Sequence, residues 1–434
     1  MSLSRNTAIV EQDARPQSPS VEALAGQGSM RLAETTSVRP SDAVDALVTH
    51  GWGRIAYNIV RSLGRKGLKV ALGTDEFSGM AVLSRYTAAK FRHPSFVRQV
   101  PEFISSLTKA MRSFCPRVYL PSEQEVLVVS KYREHFRNLE TRIPIAPFAT
   151  LRVLHKKDAL GRLAASLEVP TPQTIVPHSF ADVLSFAREI GNPVVVKRLS
   201  SSSGRGVFFT TREALIKDGA RALRGFSFGE FLVQKFVDGT GYGVSMLFNH
   251  GQLRARFTHV RLRERAPRGG VSTLRMSVQN PLLEEYAESI LAQAGFHGVA
   301  MAEFKYNEEQ KQAWLLEVNP RFWGSLALAI HAGVDFPYLL YRMALDGDIE
   351  PVLDYQKNVQ GRWIMGDMFA KLSQRGRSAR PRSGLTHIPT ARVFDDFDWR
   401  DPLPFAGQFA FSAWKFIKTL NTRPEEADIS PDRL

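Results

Sequence analysis

The sequence predicts a mixed α/β and α+β protein: a parallel α/β domain first, an α+β body behind it, and a C-terminal extension. Three observations predict this. Asp45–His50, Ile55–Leu63 and Leu68–Gly73 read as strand, helix and strand, the opening of a βαβ unit. Asn192–Lys197 (NPVVVK) is a β-branched strand ending in a lysine. Gly298–Tyr306 and Ala313–Asn319 are two strand-like runs around the polar turn Asn307–Gln312, the pattern of a hairpin.

Bulk properties bound the possibilities. With 434 residues, 44% hydrophobic and 23% charged, the chain can build two or three ordinary globular cores. No run approaches the ~20 apolar residues of a membrane span, and the N-terminus lacks the apolar core of a secretion signal. No transmembrane segment is therefore expected, and the cytoplasm is the expected location. Cys115 is the one cysteine, which excludes an internal disulfide and suits a buried filler. A net charge of +14 gives a basic surface that gathers anionic ligands. No helix-turn-helix, zinc-finger or RNA-recognition pattern accompanies it, so nucleic acid is not an expected partner.

Residues 1–43, rich in Ser, Gln, Ala, Pro and Gly, read as a disordered leader. From 44 to 150 the strand–helix alternation gives a Rossmann-like domain. Gly51-Trp52-Gly53 lacks the third glycine of a dinucleotide fingerprint, so nicotinamide binding is not supported. Val118–Pro121 is another strand, followed by Ser122-Glu123-Gln124-Glu125. Glu123 stands where it could meet a substrate, but a helix-start acid serving the macrodipole is the preferred reading. Leu151–Leu167 is expected as one helix carrying Lys156 and Lys157, ended by Val169-Pro170. After Lys197, Arg198–Gly206 (RLSSSSGRG) is a loop of small residues whose backbone N–H groups can approach phosphate closely; it is not a Walker loop, because no GK[ST] follows.

Val244–Phe248 and Leu253–His259 are strands. Arg261–Arg275 is a basic, glycine-containing stretch read as a chain entering the site. Arginine forks bind carboxylates bidentately, and Arg275, beside Leu274 and Met276, is the residue chosen there to orient an anionic acceptor.

The hairpin carries the chemistry. Centred near Gln310, it places Glu303 opposite Glu317, and two facing carboxylates repel unless a cation bridges them. Glu317 and Asn319 lie two apart on one face, and Pro320 ends the strand. Carboxylate and amide oxygens suit a hard cation such as Mg²⁺, and the guanidinium of Arg321 suits phosphate.

Glu303-Phe304-Lys305 followed by Leu316-Glu317-Val318-Asn319-Pro320-Arg321 resembles the catalytic core of the ATP-grasp superfamily. The continuations Phe322–Leu326 and Ala332–Pro337 resemble its carboxylate–amine ligase-type branch. The resemblance runs from about residue 44 to about 350. It implies a pre-ATP-grasp domain over 44–150 and two ATP-grasp subdomains, A over 151–230 and B over 231–350 with the metal site. Lys157, favoured over Lys156 by its spacing from Pro170, and Lys197 would hold nucleotide phosphates, with Ser203, Gly204 and Gly206 of the mobile loop. Gln234, Lys235 and Phe236 would belong to the segment that meets adenine. Gly241 stands where some members carry a ribose-binding glutamate, so no ribose contact is assigned. Glu303, Glu317 and Asn319 would hold Mg²⁺, for which Mn²⁺ would substitute, and Arg321 would act on the transferring group. The activity implied is ATP-dependent activation of a small carboxylic acid as an acyl phosphate and its coupling to a small amine, in a chain that could pair as a homodimer. A non-amine acceptor such as a thiol, or a nucleotide-binding regulator without turnover, are the other readings.

Beyond 351 the composition shifts. Met368–Phe394 has no acid but carries Lys371, Arg375, Arg377, Arg380, Arg382 and Arg392, and Asp395-Asp396-Phe397-Asp398 follows. Phe409–Leu420 is expected as an amphipathic helix that caps the extension, with membrane-surface contact the other reading.

Overall fold

The computed structural model describes residues 43–76, 78–199, 206–223, 226–266, 269–373, 391–419 and 429–434. The expected leader, apart from residue 43, lies outside them, as do Ser203 and Gly204.

Four parallel strands open the chain: β1 (Ala46–Val48), β2 (Val70–Thr74), β3 (Thr87–Arg92) and β4 (Val118–Leu120), in the order β3-β2-β1-β4. A parallel sheet needs cover on both faces. Ala46, Val48, Val70 and Leu72 pack with Ile55, Ile59 and Leu63 of the helix Arg54–Arg65. The alternate residues Leu47, Ala71 and Tyr119 pack with Phe103, Ile104 and Leu107 of the helix Val100–Phe114. Strand order reverses between β1 and β4, so their carboxyl ends, Thr49–Arg54 and Ser122–Glu123, flank the crevice where such sheets bind ligands.

A smaller antiparallel sheet follows: β5 (Thr174–Ile175), β6 (Val194–Arg198), β7 (Val207–Thr210) and β8 (Phe231–Lys235), in the order β5-β8-β6-β7. It has a core of its own, Val194, Val196, Phe208, Phe231 and Val233 against Val183, Phe186 and Ile190 of the helix Phe180–Ile190. A reciprocal Ser179/Asp182 capping box starts that helix. β8 is a strand of this sheet, so the unit expected to end at 230 runs on through Lys235.

The third sheet has seven strands: β9 (Thr240–Asn249), β10 (Gln252–Ala266), β11 (Gly269–Val278), β12 (Gly298–Asn307), β13 (Gln312–Asn319), β14 (Val359–Arg362) and β15 (Ala391–Phe394), in the order β13-β12-β9-β10-β11-β14-β15. Three expectations are corrected. Arg261–Arg275, read as a chain entering the site, is instead a strand hairpin: β10 and β11 pair across it. The segment after 351 supplies β14 and β15, so it completes this sheet rather than standing apart. The helix expected over Leu151–Leu167 is two, Phe148–His155 and Lys157–Ser166, because Lys156 between them is extended (φ −81°, ψ 120°). The helix Leu403–Thr419 buries Phe411 beside Trp52 and brings Gly407 against Leu83, so it packs on the N-terminal domain. Among the described residues no helix is long and apolar enough to cross a membrane.

Candidate active site

β12 and β13 pair in the register Met301–Asn319, Ala302–Val318 and Glu303–Glu317, so the two glutamates face each other as expected. The register then shifts, Phe304 facing Leu315, which makes Leu316 an extra, bulged residue. Asn319 Nδ2 lies 3.3 Å from Glu303 Oε1 and 3.4 Å from Glu317 Oε1. Two carboxylates and one amide thus converge at the mouth of the hairpin. A half-turn of the amide turns its Oδ1 to the carboxylates and makes an all-oxygen set, the donor type for Mg²⁺ or Mn²⁺. Among the described residues no three His, Cys, Asp or Glu side chains gather as a metal set, so this pair plus an amide is the candidate.

Cations ring the pair. Arg261 Nη2 lies 2.5 Å from Glu303 Oε2, with Nη1 3.6 Å from Glu264 Oε1. Lys157 Nζ lies 3.9 Å from Glu317 Oε2, and its side chain is 7% exposed. Lys305, two residues after Glu303 on β12, donates to the carbonyl of Gly239 at 3.0 Å. Burial pulls the Lys197 ammonium down to about 8; Glu317 and Glu303 resist this, and Lys157 and Lys305 reinforce it, so all five charges share one field. Burial raises the Glu303 carboxyl, Arg261 pulls it back and Glu317 pushes it up again; the net direction is up. Burial alone would lower Arg261, but Glu303 and Glu264 hold it above its usual range. A bridging cation would relieve the same repulsion from the other side.

Arg261 comes from β10, two strands away from β12, and reaches Glu303 across β9. Gly241 opens the path, since a Cβ there would stand 2.9 Å from Arg261 Cδ. Two residues on, Gly243 leaves the same room for His259. Burial, then Arg261 and Arg275, hold that imidazole well below its ordinary pKa, so it is neutral.

The remaining expected residues divide. Arg321 is 8% exposed, donates to the carbonyl of Phe322 at 2.8 Å and lies 3.5 Å from Asn319 Oδ1. Its Nη1 is 3.0 Å from Glu123 Oε2. The preferred reading of Glu123 as a helix-start acid is corrected: Glu125 does that work, accepting from the N–H groups of Ser122 (2.8 Å) and Glu123 (2.9 Å), and Glu123 is turned to the site. Lys156 points elsewhere, to Asp432 at 2.6 Å, while Lys157 faces the glutamates. Lys197 Nζ donates to Gln234 Oε1 at 2.7 Å, and Gln234 Nε2 donates to Thr174 Oγ1 at 2.9 Å, so Gln234 ties the lysine to β5 and β8. Lys235 has an exposed side chain and donates its backbone N–H to Gln173 at 2.9 Å. Phe236 stacks edge-on against Phe209, centroids 6.0 Å apart. Gly206 sits at φ +64°, where β7 begins. Arg275 is a correction. Its side chain is 1% exposed, it pairs with Asp395 and it donates to the carbonyl of Ser272 at 3.0 Å, so it is a buried structural cation and does not reach the glutamates.

Sequence reasoning missed Lys305 and gave Arg261 no more weight than its neighbours. The signal for Lys305 was present, because residues 303 and 305 of a strand share a face.

Comparisons with known proteins bear on the family and the fold. A family model described as "ATP-grasp in the biosynthetic pathway with Ter operon" matches residues 227–366, which hold the hairpin. The carbamoyl phosphate synthase arginine-specific large chain of Halalkalibacterium halodurans is 26% identical over 199 residues, 43% of this chain and 19% of that one. The biotin carboxylase of Pseudomonas aeruginosa is 27% identical over 184 residues, 38% of each. The chain therefore spans well under half the length of these two relatives. Among solved structures, the Campylobacter jejuni biotin carboxylase in its β-γ-ATP complex superposes with a TM-score of 0.60 at 16% identity, covering 74% of this chain and 75% of that one. An L-amino acid ligase from Bacillus licheniformis gives 0.55 at 16% identity, covering 70% and 75%. The three sheets and the family match lead to one conclusion: residues 227–366 match an ATP-grasp family, and the chain has the ATP-grasp fold of the structures it superposes on.

Proposed function

We propose that this protein is an ATP-dependent ligase that activates a small carboxylic acid as an acyl phosphate and passes the acyl group to an amine. The observation that carries this is Glu303 facing Glu317 across β12 and β13, with Asn319 between them and Lys157, Lys197, Lys305 and Arg261 around them. Glu303, Glu317 and Asn319 would hold Mg²⁺, which supplies charge neutralisation at the phosphate oxygens. Lys157 and Lys197 would bind the phosphates as point charges, Lys197 oriented by Gln234. Ser203, Gly204 and Gly206 would add backbone donors to the same phosphates, and Gln234, Lys235 and Phe236 would belong to the segment that meets adenine.

An oxygen of the acid attacks the γ-phosphorus, and the bond to the β-bridging oxygen breaks with its electron pair going to ADP. The amine nitrogen then attacks the acyl carbon, the carbon–oxygen bond to phosphate breaks, and the amine gives up a proton. Arg321, at the hairpin mouth, and Arg261 would stabilise charge on the transferring group or on the tetrahedral intermediate. Arg261 would also take the acceptor-orienting role first given to Arg275, whose side chain is buried against Asp395. The acid and amine would enter from the crevice where Glu123 faces Arg321.

A screen of acids with and without amines, read as ADP and phosphate release, tests this. Release that needs both partners supports the ligase. Nucleotide binding with no substrate-dependent release in any combination would leave a regulator as the reading.

A further inference from the structure

This inference rests on the role just given to Arg321 and concerns what holds its loop. Pro320–Ser325 leaves β13 along the N-terminal domain. Arg54, first residue of the helix Arg54–Arg65, donates from Nε to the carbonyl of Gly324 at 2.9 Å. Its guanidinium lies over the Trp363 ring, 3.7 Å from the centroid. A Cβ on Gly324 would overlap Arg54 Nη2 and stand 3.2 Å from its Cζ, so the bare backbone at 324 is what admits the guanidinium.

The rest of that helix face is engaged by the acidic run after β15. Arg54, Asn58, Arg61 and Arg65 are spaced by four, three and four residues and form one stripe. Asn58 Nδ2 donates to the carbonyls of Arg54 (2.9 Å) and Asp395 (3.3 Å). Arg61 donates to Asn58 Oδ1 at 2.7 Å and lies 3.7 Å from Asp398 Oδ2, and Arg65 pairs with the same carboxylate. Asp396 accepts from the N–H groups of Ile364 (3.1 Å) and Met365 (2.9 Å), which anchors the helix Ile364–Ser373 directly after Trp363. The run Asp395–Asp398 thus holds both the helix that carries Arg54 and the ring beneath its guanidinium.

We propose that Arg54 is a positioning residue for Arg321: through the Gly324 carbonyl it sets the path of loop 320–325, and the C-terminal Asp395–Asp398 run sets Arg54 itself. The coupling makes the segment directly after β15 part of the scaffold of the proposed site.

The test needs no identified acid or amine. Mg²⁺ and ADP with aluminium fluoride mimic the transferring phosphoryl group, and the ratio of that affinity to the affinity for Mg²⁺ and ADP alone reports how well Arg321 is placed. Arg54→Ala should lower the ratio by roughly 10–100-fold, the cost of a small misplacement, while ADP affinity changes little. Arg54→Lys should not rescue it, because lysine has neither the planar face nor the Nε donor. Gly324→Ala should lower the ratio in the wild-type background and add nothing to Arg54→Ala. If Arg54→Ala fails to fold, Trp363→Leu removes only the stacking surface and carries the same expectation. An unchanged ratio, an equal loss of both affinities, or a full Gly324→Ala effect without Arg54 would each overturn the proposal. If Arg321→Ala itself leaves the ratio unchanged, the phosphoryl role of Arg321 falls first, and this inference falls with it.

Discussion

Arg261 reaches Glu303 by lying across Gly241. Its Nη2 is 2.5 Å from Glu303 Oε2, and a side chain at 241 would stand 2.9 Å from Arg261 Cδ and 3.2 Å from Glu264 Oε1. A glycine in β9 therefore lets a cation from β10 cover a carboxylate of β12. Without a divalent ion, Arg261 on Glu303 and Lys157 near Glu317 offset the repulsion between the two glutamates.

Arg261→Ala should lower the melting temperature in EDTA and enlarge the rise that Mg²⁺ produces. The side chains of the pair are 13% and 17% exposed, so the loss should not exceed the roughly 3–5 kcal/mol of breaking a buried pair. Differential scanning with and without Mg²⁺ checks it. An unchanged Mg²⁺ response would mean that arginine and metal do not share Glu303.

The adjacent lysines should separate cleanly. Lys157→Ala should weaken binding of a non-hydrolysable ATP analogue, because it removes a charge 3.9 Å from Glu317. Lys156→Ala should leave that affinity alone and cost at most about 1 kcal/mol of stability, since it breaks only an exposed pair with Asp432. Calorimetry on both variants decides; equal losses of affinity would contradict the assignment.

Nucleotide affinity should depend on pH through Lys197. Burial places its ammonium at about 8 in the nucleotide-free protein, and bound phosphates favour the charged form. Affinity should be flat below about pH 8 and decline above it as binding takes up a proton. For stability the sign is opposite. From about 8 to 10.5 the unfolded chain keeps a proton that the folded chain has lost, so the cost of burying the charge is relieved as pH rises. In Lys197→Met the decline in affinity should vanish; a decline that persists belongs to another group.

Arg275→Ala should be a stability variant. It leaves Asp395, itself fully buried, without its cation, at a cost of about 3–5 kcal/mol. Adding Asp395→Asn should recover part of that loss. Wild-type melting with a raised Michaelis constant for the acid would restore Arg275 to the substrate site.

The legible parts of the site were the local ones. The turn centred at Gln310 and the period of two put Glu303 opposite Glu317 before any coordinates, and Pro320 marked where the strand stops. Distance from Pro170 separated Lys157 from Lys156. Arg261 could not be assigned in that way, because its access to Glu303 depends on β9 lying between β10 and β12, an order that no local pattern encodes. Gly241 could be read only as a missing ribose contact. Arg261–Arg275 was legible only as a basic, glycine-containing stretch, although Arg261, Arg263 and Arg265 alternate as a strand does. Ser122-Glu123-Gln124-Glu125 offers two carboxylates for one helix start, and only the hydrogen bonds of Glu125 show which one serves the helix and which one faces Arg321. β14 and β15 are four residues each and pair far along the chain from β11, so composition made them look like an appendage.

The central claim is that a carboxylate oxygen attacks the γ-phosphorus. With the acid found by the release screen labelled with oxygen-18 in its carboxyl group, mass spectrometry of the products tests it directly. One labelled oxygen in the inorganic phosphate for each turnover, with unlabelled ADP, is the result predicted. Label-free phosphate, or label in a nucleotide monophosphate, would contradict it.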